Sequence, residues 1–368
     1  MTDASSIQRH PPPKSAAAAL VLAGEHHDVT QKYGAYRRAG FADVDGDGRS
    51  ELVVSDDKTL RVVGTDGREL ARREAPGGIQ LLGTADLDGD KREEILAGWG
   101  ATLDRRDAKA RVAAYKLEGG NLAEEIIDQP ATDRQEVVAI LPRANDLFVA
   151  AFTSKFMVRA SSATRGSNGW ALEEIASMRM ATSYARADVD GDGQPDLVVG
   201  RVYGDDQDAD GDAFVLRPDG TRLPIPTSRG LKSLVAADLD GDGVAELLYG
   251  DGWHKSYGKL ARALLTVARY EGGAFHAELI DETPEQYAIE QIVVADLDGD
   301  AQPEIVARGN QLVRAYRKQK DRWVGVTIAG KSHDVAAGDL DGRPGAEVLI
   351  AGADGVIQVS LRPDVWRR

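Results

Sequence analysis

Asp238-Leu-Asp-Gly-Asp-Gly-Val-Ala-Glu246 is the stretch that decides the fold of this 368-residue chain. Its acids occupy positions 1, 3, 5 and 9 of a nonapeptide that recurs along the sequence. A damaged copy, with Arg343 at position 5, begins at Asp339. The other intact copies begin at Asp43, Asp86, Asp188 and Asp296.

The spacing of the copies indicates the number of repeating units. Successive copies start 43, 102, 50, 58 and 43 residues apart, and the interval of 102 divides into two steps of 51. A unit whose loop has lost its acids therefore belongs near residue 139, where strand-like runs over 136–141 and 147–152 flank a turn. β-rich units of this period are typical of propellers. The sequence predicts an all-β fold, a seven-bladed β-propeller.

Composition agrees with many short strands joined by tight turns. The chain has 40 glycines, 6% aromatic residues and no cysteine, which excludes disulfides and thiolate metal sites. The longest run of small apolar residues, 16–24, is shorter than the roughly 20 residues of a membrane span and lacks a strong basic flank. We predict no membrane span and no signal peptide in this chain. The net charge of −15 disfavours nucleic acid as a partner.

The donor set of each loop suits calcium. Four carboxylates and the carbonyl of position 7 supply hard oxygen ligands, while Gly at positions 4 and 6 permits the positive φ that wraps the backbone around an ion. A polar turn held by Asx hydrogen bonds, with no metal, is the alternative. Carboxylates packed this closely repel one another without a cation, and this favours calcium. The predicted ligands are Asp43, Asp45, Asp47, Glu51, Asp86, Asp88, Asp90, Glu94, Asp188, Asp190, Asp192, Asp196, Asp238, Asp240, Asp242, Glu246, Asp296, Asp298, Asp300 and Glu304.

Three loops depart from this pattern. Lys91 and Ala301 replace the Gly at position 6, so we expect those two loops to be strained or to bind more weakly. In the last loop Pro344 forbids positive φ at the same position. We predict that the Arg343 guanidinium there takes the place of the ion among Asp339, Asp341 and Glu347.

The words Gly40-Phe41-Ala-Asp43 and Ala-Asp-Leu-Asp-Gly-Asp resemble the FG-GAP or VCBS-repeat propellers, known from integrin α-subunit heads and bacterial surface proteins. The resemblance covers about 36–361. It implies blades of four strands, A to D, with a calcium loop between A and B. Laid over one repeat, it implies strands at 233–237, 245–249, 263–270 and 275–280. The family includes adhesion modules, lectins and some polysaccharide lyases, so it leaves the function open.

The last repeat has too little chain left for its own outer strand. Residues 20–29 parallel 326–335, where an outer strand leads into the next inner strand. We therefore predict that the segment from Ala18 to Ala23 completes the seventh blade and closes the ring. Residues 1–17 are predicted to be a flexible tail, and 18–368 the propeller domain.

Non-repeating residues cluster on the predicted face opposite the calcium loops. Aromatic rings on exposed loops there could stack on a sugar, although they could instead pack between blades. The acidic run 205–212 could hold another calcium ion or be an ordinary solvated loop. The histidines could bind a ligand or simply orient turns. The candidate ligand-binding residues are Trp99, Tyr203, Trp253, His254, Tyr257, His27 and His333.

Two functions fit this layout. The first is a non-catalytic, calcium-stabilised recognition or adhesion module that binds a glycan or protein ligand on that face. The alternative is a calcium-dependent polysaccharide lyase or hydrolase that uses His254, Tyr257 and either Lys255 or Arg262. Uniform repeats leave no large catalytic insertion, which favours the module and assigns no catalytic residue. Because such loops usually saturate at extracellular calcium levels, we expect an extracellular or periplasmic location.

Overall fold

Seven antiparallel sheets of four strands make up the structure. It is a computed structural model that describes residues 22–28, 38–56, 58–74, 78–99, 111–129, 136–143, 146–153, 156–205, 209–252, 263–283, 288–353 and 355–367. Within these residues the one helical element is a 3-10 helix over Pro363–Arg367, and none is long and apolar enough to cross a bilayer. The predicted all-β, seven-bladed β-propeller is confirmed.

We number the sheets as blades 1 to 7 and give their strands from the innermost outward. Blade 1 has β2 (Arg38–Ala42), β3 (Glu51–Ser55), β4 (Thr59–Val63) and β5 (Glu69–Glu74). Blade 2 has β6 (Ile79–Ala85), β7 (Glu94–Trp99), β8 (Arg111–Glu118) and β9 (Asn121–Asp128). Blade 3 has β10 (Val137–Arg143), β11 (Asp146–Phe152), β12 (Met157–Gly166) and β13 (Gly169–Arg179). Blade 4 has β14 (Ala181–Ala187), β15 (Asp196–Arg201), β16 (Ala213–Leu216) and β17 (Arg222–Ile225).

The remaining three blades follow the same order. Blade 5 has β18 (Ser233–Ala237), β19 (Glu246–Asp251), β20 (Ala263–Glu271) and β21 (Ala274–Thr283). Blade 6 has β22 (Ile289–Ala295), β23 (Glu304–Gly309), β24 (Val313–Gln319) and β25 (Arg322–Ala329). Blade 7 has β26 (Asp334–Gly338), β27 (Glu347–Gly352), β28 (Gly355–Ser360) and, outermost, β1 (Glu25–Asp28). The strands implied for one repeat by the resemblance match those of blade 5 to within three residues.

The first strands of the blades form a closed ring. They touch in the order β2, β6, β10, β14, β18, β22 and β26, and β26 touches β2 again. Small residues allow this close approach: a Cβ added to Gly338 on β26 would come within 2.5 Å of the Phe41 ring on β2. The first strands of several blades enclose a cavity of about 530 Å³ on the axis. The second strands are buried along nearly their whole length, as expected for strands covered on both faces.

The hydrophobic core lies between the blades. In the described part of the chain each junction of neighbouring blades holds one cluster of buried apolar side chains, including the junction of blade 7 with blade 1. Trp366 of the C-terminal 3-10 helix is 2% exposed and belongs to the cluster between blades 6 and 7. Burial is therefore distributed around the ring, and no single blade has a core of its own.

An N-terminal strand closes the ring, as predicted, but its position is different. β1 pairs antiparallel with β28, with Glu25 opposite Ser360 and Asp28 opposite Ile357. The predicted segment from Ala18 to Ala23 does not supply this strand: the amide of Ala23 donates to Thr327 of blade 6 (2.8 Å), and 18–21 lie outside the described residues. Gly24 (φ 88°) explains the shift, because its left-handed turn redirects the chain onto blade 7 only after this residue. The predicted tail, residues 1–17, also lies outside the described part.

Blade 3 is the unit whose loop has lost its acids. β10 and β11 coincide closely with the predicted strands at 136–141 and 147–152. Val149 on β11 pairs with Ile140 on β10 and with Ser161 on β12, so the sheet is continuous without an acidic loop. The decayed copy therefore still folds as a blade.

Candidate functional site

The acidic loops connect the first and second strands of blades 1, 2, 4, 5, 6 and 7, at residues 43–51, 86–94, 188–196, 238–246, 296–304 and 339–347. Position 1 organises each loop. In blade 1 the Asp43 carboxylate accepts the amides of Gly46 (2.7 Å), Asp47 (3.1 Å) and Gly48 (2.9 Å). Asp86, Asp188, Asp238 and Asp296 accept the amides of positions 4 and 6 in the same way. The Asx turns of the metal-free alternative are thus present, and they also aim the carboxylates.

The acid at position 9 of each loop forms a hydrogen bond with the residue at position 2. The acid there is largely buried, and in blade 1 Glu51 is 3% exposed and accepts the amide of Val44 at 3.0 Å. Equivalent bonds to position 2 occur in the other five loops. The Val44 side chain is 1% exposed and belongs to the hydrophobic cluster between blades 1 and 2. This bond uses only one oxygen of each position-9 acid, and in blades 2, 4, 5 and 6 a basic side chain approaches the other oxygen.

The carboxylates of five loops converge. In each, three acids place one oxygen apiece within 4.8 Å of one another. Asp298 Oδ1 and Glu304 Oε1 are buried with no hydrogen-bond partner. Burial raises the pKa of Glu51 to about 7, with the neighbouring carboxylates adding to the rise, and it raises the pKa of Glu304 to about 7. Crowded oxygens that resist ionisation, some without a donor, fit a hard divalent cation. The converging groups are Asp43, Asp45 and Glu51; Asp86, Asp88 and Asp90; Asp188, Asp190 and Asp192; Asp238, Asp240 and Glu246; and Asp296, Asp298 and Asp300.

Two of the predicted departures are visible in the backbone. Lys91 (φ 70°) and Ala301 (φ 66°) adopt the left-handed conformation that Gly adopts at position 6 elsewhere. For residues with a Cβ this conformation is strained. The strain expected for these two loops is therefore present.

The prediction for the damaged loop of blade 7 is wrong. The Arg343 side chain is 82% exposed, and its guanidinium lies 3.5 Å from Asp341 at the rim of the loop rather than among the three acids. The backbone explains this, because the Arg343 amide donates to Asp341 (2.9 Å) and Pro344 packs against Gly299 of blade 6. The side chain at position 5 is thereby directed towards solvent.

Basic side chains on the third strand enter four of the loops, and sequence reasoning missed them. Their place is set by the strand register. In blade 2, Ile95 follows the position-9 acid and pairs with Tyr115 on the third strand, and Lys116 is the next residue after Tyr115. Lys116 Nζ lies 2.5 Å from Asp88, 2.8 Å from Asp90 and 3.3 Å from Glu94. The equivalent residues are Arg217 in blade 4, Arg269 in blade 5 and Arg317 in blade 6. In the sequence, a Lys or Arg follows the apolar residues of each of these third strands. This pattern identifies a partner of the loop acids only when the strand register is known.

Neighbouring acidic loops are also joined to one another. The amide of position 8 in one loop donates to the carbonyl of position 1 in the loop before it. This occurs between blades 1 and 2, 4 and 5, and 6 and 7. Pro303 occupies position 8 in blade 6 and has no amide hydrogen, so blade 6 cannot donate to blade 5 in this way. The bonds are Glu93 to Asp43 (2.7 Å), Ala245 to Asp188 (2.8 Å) and Ala346 to Asp296 (2.7 Å).

Trp99 is not an exposed aromatic. It ends β7, is 6% exposed, and packs with its ring centre 5.9 Å from that of Tyr115 and beneath the Arg111 guanidinium. A ring buried in this way has no face to offer a sugar, so packing between blades describes this residue. Of the two alternatives for Trp99, the structure shows packing between blades and not exposure on a loop.

In the acidic run 205–212, of which 206–208 lie outside the described residues, Asp205 and Asp212 share one cationic partner. Arg201, only 3% exposed, pairs with Asp205 (2.6 Å) and Asp212 (2.5 Å). Tyr203 is half-buried and forms a β-bridge with Asp210. The Arg201 guanidinium therefore offsets the charges of Asp205 and Asp212, while a calcium site in the run as a whole stays a prediction.

The other candidate ligand residues have mixed outcomes. Trp253, His254 and Tyr257 lie outside the described residues, as do Lys255 and Arg262 of the enzymatic alternative. His27 lies on β1 rather than on a loop, and its side chain is not among those described. His333 lies in the turn between β25 and β26, on the predicted face, with its amide bonded to Ala351 at 2.8 Å.

His333 lines a polar cavity at the mouth of the axial cavity, and the two share Arg38, Glu290 and Arg308 as lining residues. The cavity has a volume of about 370 Å³, and turns of blades 6 and 7 build it together with Arg38 at the start of β2. Arg308 crosses beneath it and donates to Glu290 (2.9 Å) and to the carbonyl of Ser332 (3.4 Å). Lys331 is exposed at its edge. These turns lie on the face opposite the acidic loops, and we call this space the mouth cavity. Its other lining residues are Asn310 and Gln311.

Comparison with known proteins supports the architecture. Residues 188–249 match the family model of the FG-GAP-like repeat. Among solved structures, the chain is similar to the crystal structure of BBS1N in complex with ARL6DN, soaked with lead, with 11% sequence identity and a TM-score of 0.61. That match covers 93% of this chain and 97% of the other. At this identity it shows the fold alone. A search of curated proteins gives no match.

Proposed function

We propose that this seven-bladed β-propeller, with its FG-GAP-like repeat at 188–249, is a calcium-stabilised, non-catalytic recognition module that binds a glycan or protein on the face opposite its acidic loops. The mouth cavity is the observation that carries this proposal. It is concave, lies on that face and combines cationic with anionic and amide groups, as ligand sites on rigid scaffolds do. The similar structure of BBS1N is that of a complex with ARL6DN, which is consistent with recognition of a partner.

Calcium belongs to this proposal as a structural ion. The ligands would be the converging carboxylates of the acidic loops, and the ion would offset their repulsion. The loops tie the inner strands to the second strands, so a bound ion would stiffen the rim without touching the ligand. Saturation at extracellular calcium levels suits a location outside the cytoplasm.

A binding experiment with paired charge reversals tests the ligand face. The protein is applied to a glycan microarray and to an immobilised peptide library with calcium present. Any hit is then measured with Lys331→Glu, at the mouth cavity, and with Lys320→Glu, an exposed position in the same blade at the turn on the acidic-loop face. We expect Lys331→Glu to change the affinity by tenfold or more and Lys320→Glu to leave it unchanged.

Three results would contradict the proposal. Equal affinity in both variants and the parent protein would place the ligand elsewhere, and equal losses in both would indicate a general charge effect. Release of oligosaccharide products during incubation with polysaccharides would instead support the lyase or hydrolase.

A further inference from the structure

The cation that the protein supplies to its own loops differs from blade to blade. Lys116 and Arg317 each reach three acids, in blades 2 and 6. Arg217 reaches two acids in blade 4, and Arg269 reaches one in blade 5. Among the described residues no basic side chain pairs with the acids of 43–51 in blade 1. The loops share a sequence motif but differ in their electrostatic state.

The residue on the third strand explains why no described basic side chain enters the blade 1 loop. Leu52 on β3 pairs with Val63 on β4, so the third-strand position that carries Lys or Arg elsewhere is Gly64. Blade 1 therefore has three converging acids, one of them the acid at position 9, and no internal counter-charge among the described residues. Blade 7 has Ser360 at this position, but its loop lacks the third acid.

Blade 6 is the opposite extreme. Arg317 contacts Asp298 and Asp300, and Trp366 Nε1 donates to Asp298 at 2.9 Å. An ion entering this loop must compete with a guanidinium for the same oxygens and accept a nearby positive charge. In blade 5 Arg269 engages only Glu246 (2.9 Å), so competition there is weaker.

We propose that the acidic loops are graded cation sites, in which the third-strand residue sets the calcium affinity and the blade 1 loop is the tight site. The order of affinity is blade 1, then blade 5, then blade 4, then blades 2 and 6. This inference rests on the calcium binding proposed above and specifies which loops provide it. The propeller thus replaces calcium with its own side chains in several blades.

Calorimetric titration of the chelator-treated protein with calcium tests the grading. We expect one site at least tenfold tighter than the rest. Gly64→Lys, which places an ammonium at the blade 1 position, should abolish that site; an added Cβ there meets its nearest neighbour at an ordinary 3.4 Å. Gly64→Ala is the matched control and should retain it. Arg317→Met should raise the number of tight sites from one to two, whereas Arg322→Met, at an exposed position on the same blade, should not.

The outcomes separate this inference from the proposed function. Five equal sites, or a tight site that persists in folded Gly64→Lys, would overturn the grading while calcium binding stands. Absence of binding in every variant would remove both the grading and the structural role of calcium. Circular dichroism of each variant establishes that lost binding does not reflect lost folding.

Discussion

Without calcium, the stability of this protein should fall as the pH rises from about 5 to about 7.5. The pKa values of Glu51 and Glu304 are both raised to about 7, from an ordinary value of 4.5, mainly by burial. A carboxyl group of this kind contributes stability that is fully present below its unfolded pKa and is lost as the pH rises through its folded pKa. At pH 5 the two carboxyl groups are protonated, so the folded protein buries them in the neutral form. At pH 7.5 they are ionised, so the folded protein buries two charges.

The structure gives the size of the effect. A pKa raised from 4.5 to about 7 corresponds to about 3 kcal/mol for one carboxyl, or about 6 kcal/mol for both. The two glutamates are 3% and 0% exposed, so solvent screens them little. Burial also raises the pKa of Glu94, Glu246 and Glu347, which adds to the fall. A loss of this order is a large part of the typical 5–15 kcal/mol, roughly, that stabilises a folded protein.

Urea unfolding followed by circular dichroism, at several pH values between 5 and 7.5 with a chelator, measures the effect. Glu51→Gln should remove up to half of the fall, because the amide keeps the bond to Val44 without the charge. The exposed Glu173→Gln on β13 is the control and should leave the pH dependence intact. Saturating calcium should flatten the profile, since the ion offsets the ionised carboxylates.

A stability that stays level, or increases, over this pH range in the chelated protein would refute the reasoning. So would a slope that persists in full in the combined Glu51→Gln and Glu304→Gln variant. Either result would mean that the crowded carboxylates cost nothing in the folded state, and with that the physical case for a cation would fail.

Three further predictions concern the ring itself. Gly338→Ala should destabilise the fold by about 1–3 kcal/mol in urea unfolding, since its Cβ would meet Phe41 at 2.5 Å, whereas Gly40→Ala, with open space, should not. Trp366→Ala should cost about 3–5 kcal/mol and Trp366→Phe less, measured in the same way. Removing residues 1–28 should leave β28 as an unpaired edge and yield dimers or aggregates in size-exclusion chromatography; a monodisperse monomer would contradict this.

The repeat itself made the fold predictable. The period and the strand-like runs identified even blade 3, because a blade needs apolar strands and not an acidic loop. Trp99 shows where this reasoning fails. Gly98-Trp99-Gly100 reads as a turn, yet Gly98 lies in a strand, where its missing side chain lets Val137 of blade 3 pack against it: a Cβ there would fall 2.9 Å from Val137. Gly98 is therefore required by a close contact between blades. From a single sequence, a glycine of this kind looks the same as a glycine in a turn.

The loop chemistry was predictable only in part. Position 1 and position 9 behave as their residue types dictate, because their partners lie within the same nine residues. The basic side chains that enter the loops could not be predicted in this way. Lys116 is 22 residues beyond Glu94 in the sequence and meets it only through the pairing of β7 with β8. The prediction for Arg343 was wrong for the opposite reason. This residue is adjacent to the acids in sequence, but its backbone directs its side chain towards solvent. Proximity in sequence was a poor guide to which cation enters a loop.

The grading of the loops changes what chelation should do to the whole ring. Hydrogen bonds between loops join blades 1 and 2, 4 and 5, and 6 and 7, and each of these pairs contains at least one loop with an internal Lys or Arg. Loss of the blade 1 ion therefore leaves each linked pair with a counter-charge of its own. A single site held at a hundred times its Kd contributes about 2.7 kcal/mol, and five equal sites about 14 kcal/mol. We expect chelation to lower the free energy of unfolding, measured with urea, by an amount near the smaller figure, while far-UV circular dichroism keeps its β-sheet signature. Unfolding of the whole protein by chelator alone would show that Lys116, Arg217, Arg269 and Arg317 do not take the place of calcium.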